Sequence, residues 1–335
     1  MVRSYSVNNF KVDGVTTLFF ASEAIDGPCY AYSGDNFEHK EVVWEKDGGT
    51  MSIIEIPDTK GQFLAVQRFF PGFNSAESKL VWGRYENGVW KIQDFLTLSY
   101  LHRFDILVSN GKKYFIGCTL CGSKKDRNDW SDPGKIWVGE VPEDLNQPMK
   151  IHPLKEGLVK NHGYSKDVEN GQELSYVTCD SGIFKVTPPN QENTDWTIDY
   201  ILKDPISDIA VLDIDQDGEK EFVVMAPFHG NEFKILKSMN GEYQEVYHYP
   251  QEIDFAHALW AGNLAGKPTI LGGIRRLDEE LFYVQYDKDS NAYITTLIEK
   301  GVGPANLSVL HEENKDVILS ANHTKNEAAI YEVTP

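Results

Sequence analysis

The feature that most constrains this chain is a repeat. Six segments share one layout: an apolar run, a tight turn carrying Gly, Asn or Asp, then a second apolar run. They begin at Met51, His102, His162, Asp208, His257 and Asn306, so successive starts lie 51, 60, 46, 49 and 49 residues apart. That is the spacing of a four-stranded propeller blade, roughly 40–50 residues. A third β-branched or aromatic run follows in each repeat, LVWGRY and KIWVGEV being examples, and an amphipathic fourth closes most of them. No long helical periodicity competes with this pattern. The stretch from Val15 to Gly48 supplies one more repeat. The chain is therefore expected to be all-β, a seven-bladed β-propeller of four-stranded antiparallel blades, as a single domain over residues 1–335. The last repeat stops at Pro335 after its third strand. The segment Arg3–Phe10 is expected to pair there as the missing outer strand, which would remove free sheet edges. The alternative is that residues 1–14 give the first repeat its inner strand.

A hydrophobic content of 41% supplies a sizeable core, and a net charge of −19 repels nucleic acid and anionic membranes alike. Neither is expected as a partner. The first residues lack the apolar stretch of a signal peptide, and no run is long and apolar enough to span a bilayer. Cys29, Cys118, Cys121 and Cys179 are few and scattered, as expected of reduced, buried thiols in a cytoplasmic protein. Cys118 and Cys121 form a CxxC inside a strand-like run, with no second pair to complete a zinc site.

In a blade the second strand runs antiparallel to the first, so the start of one and the end of the other share a face. The strand-two ends fall at Glu23, Arg68, Thr119, Asp180, His229, Arg275 with Arg276, and His323. His102, His162 and His257 hold equivalent inner positions on nearby repeats, with Asp208 between them. Inner strands crowd the axis, so these four are expected to converge on one Zn²⁺, Mn²⁺ or Fe²⁺ ion. His229 and His323 are candidates for base and acid, and Arg275 and Arg276 for holding developing negative charge. Arg68 and Arg103 join the same ring. The insertion Leu120–Gly134 adds Lys124, Arg127 and Trp130 as candidate substrate contacts, since long loops in compact folds are often functional. Phe69, Phe70 and the following Pro71–Asn74 offer an aromatic platform for sugar stacking. The bland alternative is a set of water-holding channel histidines ringed by surface ion pairs.

One turn carries its own chemistry. Asp213, Asp215, Asp217, Gly218 and Glu221 spell DxDxDGxxxE, and alternate carboxylates in a tight turn suit calcium. The string resembles the calcium loop of FG-GAP/VCBS-type propeller repeats, with Glu221 replacing the last Asp. The overall pattern resembles the VCBS-repeat propeller of the aldos-2-ulose (anhydrofructose) dehydratases. That resemblance implies dehydration of a keto-sugar at a metal-bearing propeller face. The cupin domains of that family have no counterpart in this sequence, so the resemblance carries no isomerase step. The expected function is a metal-dependent carbon–oxygen lyase or dehydratase. Its substrate would be a small carbohydrate, a keto-sugar or uronate, opened by α-proton abstraction and β-elimination. The alternative is a non-catalytic glycan- or protein-binding propeller. A glycoside hydrolase would need paired carboxylates, and Glu23, Asp180 and Asp208 do not read as a pair.

Overall fold

The computed structural model describes residues 1–334, and they form an all-β propeller of seven antiparallel sheets. The inner strands are Ser4–Val12, Ile53–Glu55, Leu101–Ser109, Gly163–Glu169, Asp208–Leu212, Asp254–Leu264 and Pro304–His311. Each packs beside the next, and the last returns to the first. The first six blades have four strands in simple meander order; the seventh has three, Pro304–His311, Asp316–Asn322 and Glu327–Val333. A single 3₁₀ turn, Asp35–Phe37, is the one helical element among the described residues.

The second strand of a blade is covered by sheets on both sides, which explains its unbroken apolar reading. Phe63–Gln67, Glu221–Ala226 and Asp316–Asn322 are buried at every position. Fourth strands face solvent on one side and alternate instead, as in Val89–Thr97. The core lies between blades: Phe10 stacks on Phe19 within blade one at 4.4 Å, and Phe19 meets Phe63 of blade two at 5.5 Å. All four cysteines are buried free thiols.

The N-terminal segment does not complete the seventh blade. Ser4–Val12 is the inner strand of the first, paired antiparallel with Val15–Ser22. The cause is local. Asp13 and Gly14 form a two-residue hairpin turn with both φ values positive, 48° and 85°, the conformation that Asp-Gly favours and that matches strand twist. A hairpin closed by two residues outcompetes a pairing across the whole chain. The ring is then sealed by side chains. Asn9 donates to Ser308 Oγ (2.9 Å) and to the Val309 carbonyl (3.1 Å), and Asn306 Nδ2 donates to the Tyr5 carbonyl (2.7 Å). Asn326 accepts from the Met1 ammonium through its carbonyl and from the Arg3 amide through its side chain.

The acidic turn on the opposite face has its own resident cation. Lys237 Nζ, from the third strand of blade five, lies 2.5 Å from Asp215, 2.7 Å from Asp217 and 2.9 Å from Glu221. Asp213 instead accepts the amides of Asp217 and Gly218. The carboxylates do converge, and this ammonium sits among them; one ligand atom each from Asp213, Asp215 and Glu221 also lies within 4.8 Å of the other two, the convergence that the sequence suggested for calcium. Sequence spacing did not foretell Lys237, which arrives from another strand. Glu221 is fully buried, so removing its counter-ion leaves an uncompensated charge. Lys237→Met is expected to cost about 3 kcal/mol in urea unfolding. If Lys237 alone neutralises the loop, exchanging calcium for a chelator leaves the wild-type transition unmoved; a chelator-sensitive midpoint assigns the loop a calcium ion.

Candidate functional site

Four imidazoles gather where the inner strands crowd the axis. His102, His162 and His257 are buried, and His229 is partly so; His102, His229 and His257 line a cavity of about 400 Å³, with His162 against them. His162 sits just before its strand, and Gly163 lets the neighbouring blade come close: a Cβ there would lie 2.6 Å from Asp208 Cα. That approach brings the Ser207 carbonyl to 3.0 Å from His162 Nδ1. His257 Nδ1 likewise lies 2.9 Å from the Ala305 carbonyl of the next blade. A carbonyl only accepts, so both Nδ1 atoms carry the proton and both Nε2 atoms keep a lone pair. Metal-binding histidines use this tautomer, with a carbonyl behind the ring to hold it.

His229 enters from the end of a second strand. Its backbone is left-handed (φ 49°), a conformation that His tolerates better than most residues, and its amide donates to Ser207 Oγ. Its Nε2 is 3.2 Å from His162 Nε2. One potential ligand atom from each of His162, His229 and His257 lies within 4.8 Å of the other two. Tetrahedral Zn–N bonds of about 2.0–2.1 Å would place ligand nitrogens about 3.3 Å apart, so the His162–His229 pair already has the length of one edge. Burial holds all four imidazoles below the ordinary histidine range, with neighbouring positive charge adding to it, and pulls His162 down to about 3. Neutral imidazoles are the form that a transition metal binds.

The trio differs from the one that register alone suggested. His102 touches His162, with ring centroids 4.4 Å apart, but stays outside the three-nitrogen group, and its buried Nδ1 has no hydrogen-bond partner. His229 takes its place. Asp208 is buried and turned to the Ile209 amide and to Arg103 at 3.8 Å; burial raises its carboxyl to about 6. His323 is held between Glu23 (2.6 Å) and Arg275 (2.7 Å), so it is already engaged on both sides.

Positive charge rims the cavity. Arg3, Arg127, Arg275 and Arg276 line it, while the one acid among its lining residues, Glu23, is paired with Arg3 and His323. Arg275 and Arg276 both lie 4.8 Å from the Phe255 ring, and Arg276 also pairs with Asp254 at 3.3 Å. The cavity has an aromatic wall as well: Trp130 packs on Phe73 at 5.5 Å and on Phe228 at 5.3 Å. The expected platform and the inserted loop thus meet at one side of the cavity. Lys124 lies 3.3 Å above the Trp130 ring and donates to the Arg127 and Asp129 carbonyls, so it shapes this loop rather than facing a ligand. Arg68 is bound by Asp47 and Glu77 away from the cavity, and Arg103 is held by Asn306.

Tyr5, Phe228 and Phe255 were not legible as site residues. Tyr5 was hidden by assigning its strand to the wrong blade. It is buried, its hydroxyl donates to His257 Nε2 at 3.2 Å, and burial pushes the phenol up to about 12.

No family model matches the chain, and no curated protein matches it either. Solved structures do. The WD40 β-propeller domain of Doa1 aligns with a TM-score of 0.60 at 13% identity, over 98% of this chain and 92% of that one. Candidate 6-phosphogluconolactonases from Bacteroides fragilis and Bacteroides uniformis align with TM-scores of 0.55 and 0.56. Their identities are 10% and 8%, over 93% and 95% of this chain and 92% of each of theirs. At such identities the likeness establishes the fold: this is a seven-bladed β-propeller.

The rim makes a measurable demand. Arg276 is exposed, so Arg276→Ala should change unfolding free energy by no more than about 0.5 kcal/mol. Losing a charged hydrogen bond should nevertheless weaken binding of a carboxylate probe such as glucuronate about tenfold in calorimetric titration. Equal affinity in both proteins would show that anions do not use this rim.

Proposed function

We propose that this protein is a metal-dependent carbon–oxygen lyase or dehydratase acting on an anionic sugar. The observation that carries the reading is the His162, His229 and His257 trio beneath an arginine-rimmed, aromatic-walled cavity. The donor set fits Zn²⁺, Mn²⁺ or Fe²⁺, because borderline imidazole ligands suit those ions better than calcium or magnesium. Such an ion, when bound, supplies Lewis acidity that makes a proton α to a carbonyl easier to remove.

The chain's own residues account for the rest. Arg275 and Arg276 hold the carboxylate or phosphate of the substrate, with Phe255 fixing their planes. Trp130, Phe73 and Phe228 offer ring faces to the apolar side of a sugar. His102 lines the cavity but stands outside the three-nitrogen group, and its ring accepts the α-proton. A buried imidazolium is unfavourable, so the same group returns that proton to the departing hydroxyl, and water leaves. The resemblance of the repeats to those of the aldos-2-ulose dehydratases supports the same chemistry. The sugar-directed names of two similar folds add an acidic lactone to the compounds worth testing.

The experiment is metal analysis of the purified protein, followed by a screen of uronates, keto-sugar acids and 6-phosphogluconolactone. Absorbance of a conjugated product reports elimination. One transition ion per chain is expected. His162→Ala and His229→Asn should lose both ion and turnover. His102→Gln should keep the ion and lose at least about a hundredfold in kcat, the range of a general base. A wild-type protein that takes up no transition metal would overturn the reading and leave a glycan-binding propeller, which the aromatic wall would also serve.

A further inference from the structure

The axial cavity continues on the side of blades one and two. Arg3, Phe70 and Pro71 line it and also line a second cavity, of about 740 Å³. This neighbour has a different character. Val2, Ile25, Pro28, Tyr30, Phe70 and Pro71 give it an apolar lining. Val2 and Ile25 are 65% and 62% exposed, more than any other large hydrophobic side chain among the described residues. The polar groups of the same stretch are already engaged. Ser22 Oγ donates to the Val2 carbonyl at 2.6 Å and accepts from the Ala24 amide at 3.0 Å. The Gly27 amide donates to the Ala24 carbonyl at 3.0 Å, and Arg3, at the junction, is paired with Glu23. A second sugar ring, with a hydroxyl on nearly every carbon, would find few free partners here, whereas an apolar group would lose nothing by leaving water. The two cavities therefore ask for opposite chemistry in one ligand: negative charge at Arg275 and Arg276, and apolar surface beyond Phe70.

We propose that the substrate is a glycoside whose anionic sugar fills the axial cavity and whose apolar, aromatic aglycone lies in the groove beside Val2, Ile25 and Tyr30. The inference rests on the anionic-sugar reading above and names the other half of the same molecule. The glycosidic oxygen falls at the junction, between Arg3 and Pro71, the residues that both cavities share with Phe70. The sugar is selected by charge and the aglycone by the area it removes from water, so the two halves contribute separately to affinity.

Binding alone tests this, without metal or turnover. Calorimetric titration would compare methyl β-D-glucuronide with 2-naphthyl β-D-glucuronide, which share the anionic sugar and differ in the aglycone. The naphthyl compound is expected to bind at least about tenfold more tightly, a factor within reach of shielding a fused ring system from water. Val2→Ser combined with Ile25→Ser should abolish that gain and leave the affinity for the methyl compound unchanged. Both side chains are exposed, and the Val2 carbonyl that receives Ser22 is retained, so the fold is preserved. Arg276→Ala should weaken both compounds by the same factor. Equal affinity of the two compounds for the wild-type protein, or a naphthyl gain that survives the two serines, would overturn the aglycone groove and leave the anionic-sugar reading standing. A wild-type protein that binds neither compound would remove both.

Discussion

The structure depends on closing a ring of inner strands without sharing a strand between its two ends. In place of a blade built from both ends, asparagine side chains bridge blades one and seven: Asn9 reaches Ser308 and Val309, and Asn306 reaches the Tyr5 carbonyl. Each bond satisfies a backbone or side-chain group at a crowded axis where an unpaired one would cost about 1–3 kcal/mol. Arg103 donates to Asn306 as well, tying blade three into the same seam. The axis is thus a polar network in which each member has a neighbour from another blade.

The histidine cluster is an extension of that network. Backbone carbonyls of Ser207 and Ala305 orient His162 and His257, each from the following blade. Positioning and closure share the same physical basis, since a blade shifted by an ångström would misplace the carbonyl that sets its neighbour's tautomer. Left-handed backbone at Phe73, His229 and Phe255 aims three rings into the cavity, a concentration of uncommon conformations that surrounding packing has to hold in place.

The blade count and the face bearing the histidines were legible because both follow from repeat spacing and strand antiparallelism. What was not legible came from neighbours in space. Lys237 reaches the acidic turn from another strand, and no spacing rule foretells a counter-ion arriving that way. His102 and His229 exchanged expected places because register fixes a backbone position, whereas φ at His229 decides where the ring goes. The placement of the first strand was readable in principle from Asp13-Gly14, a two-residue turn signal overridden by the appeal of a completed last blade. The resemblance to FG-GAP repeats rests on the acidic turn, whose carboxylates Lys237 joins from the third strand of the blade.

The composite origin of the site has one more consequence. Tyr5 comes from blade one, His102 from blade three, His162 from the lead-in to blade four, His229 from blade five and His257 from blade six, while Ala305 of blade seven supplies a supporting carbonyl. The three grouped imidazoles come from consecutive blades, four to six, and their supporting carbonyls from Ser207 and Ala305. Partial unfolding that opened one seam between blades four and seven would therefore disperse them long before the β-structure signal fell. In such a protein, occupancy of the axis is a gauge of circular integrity, and the folded, closed state is the state that a bound ion or substrate would selectively populate.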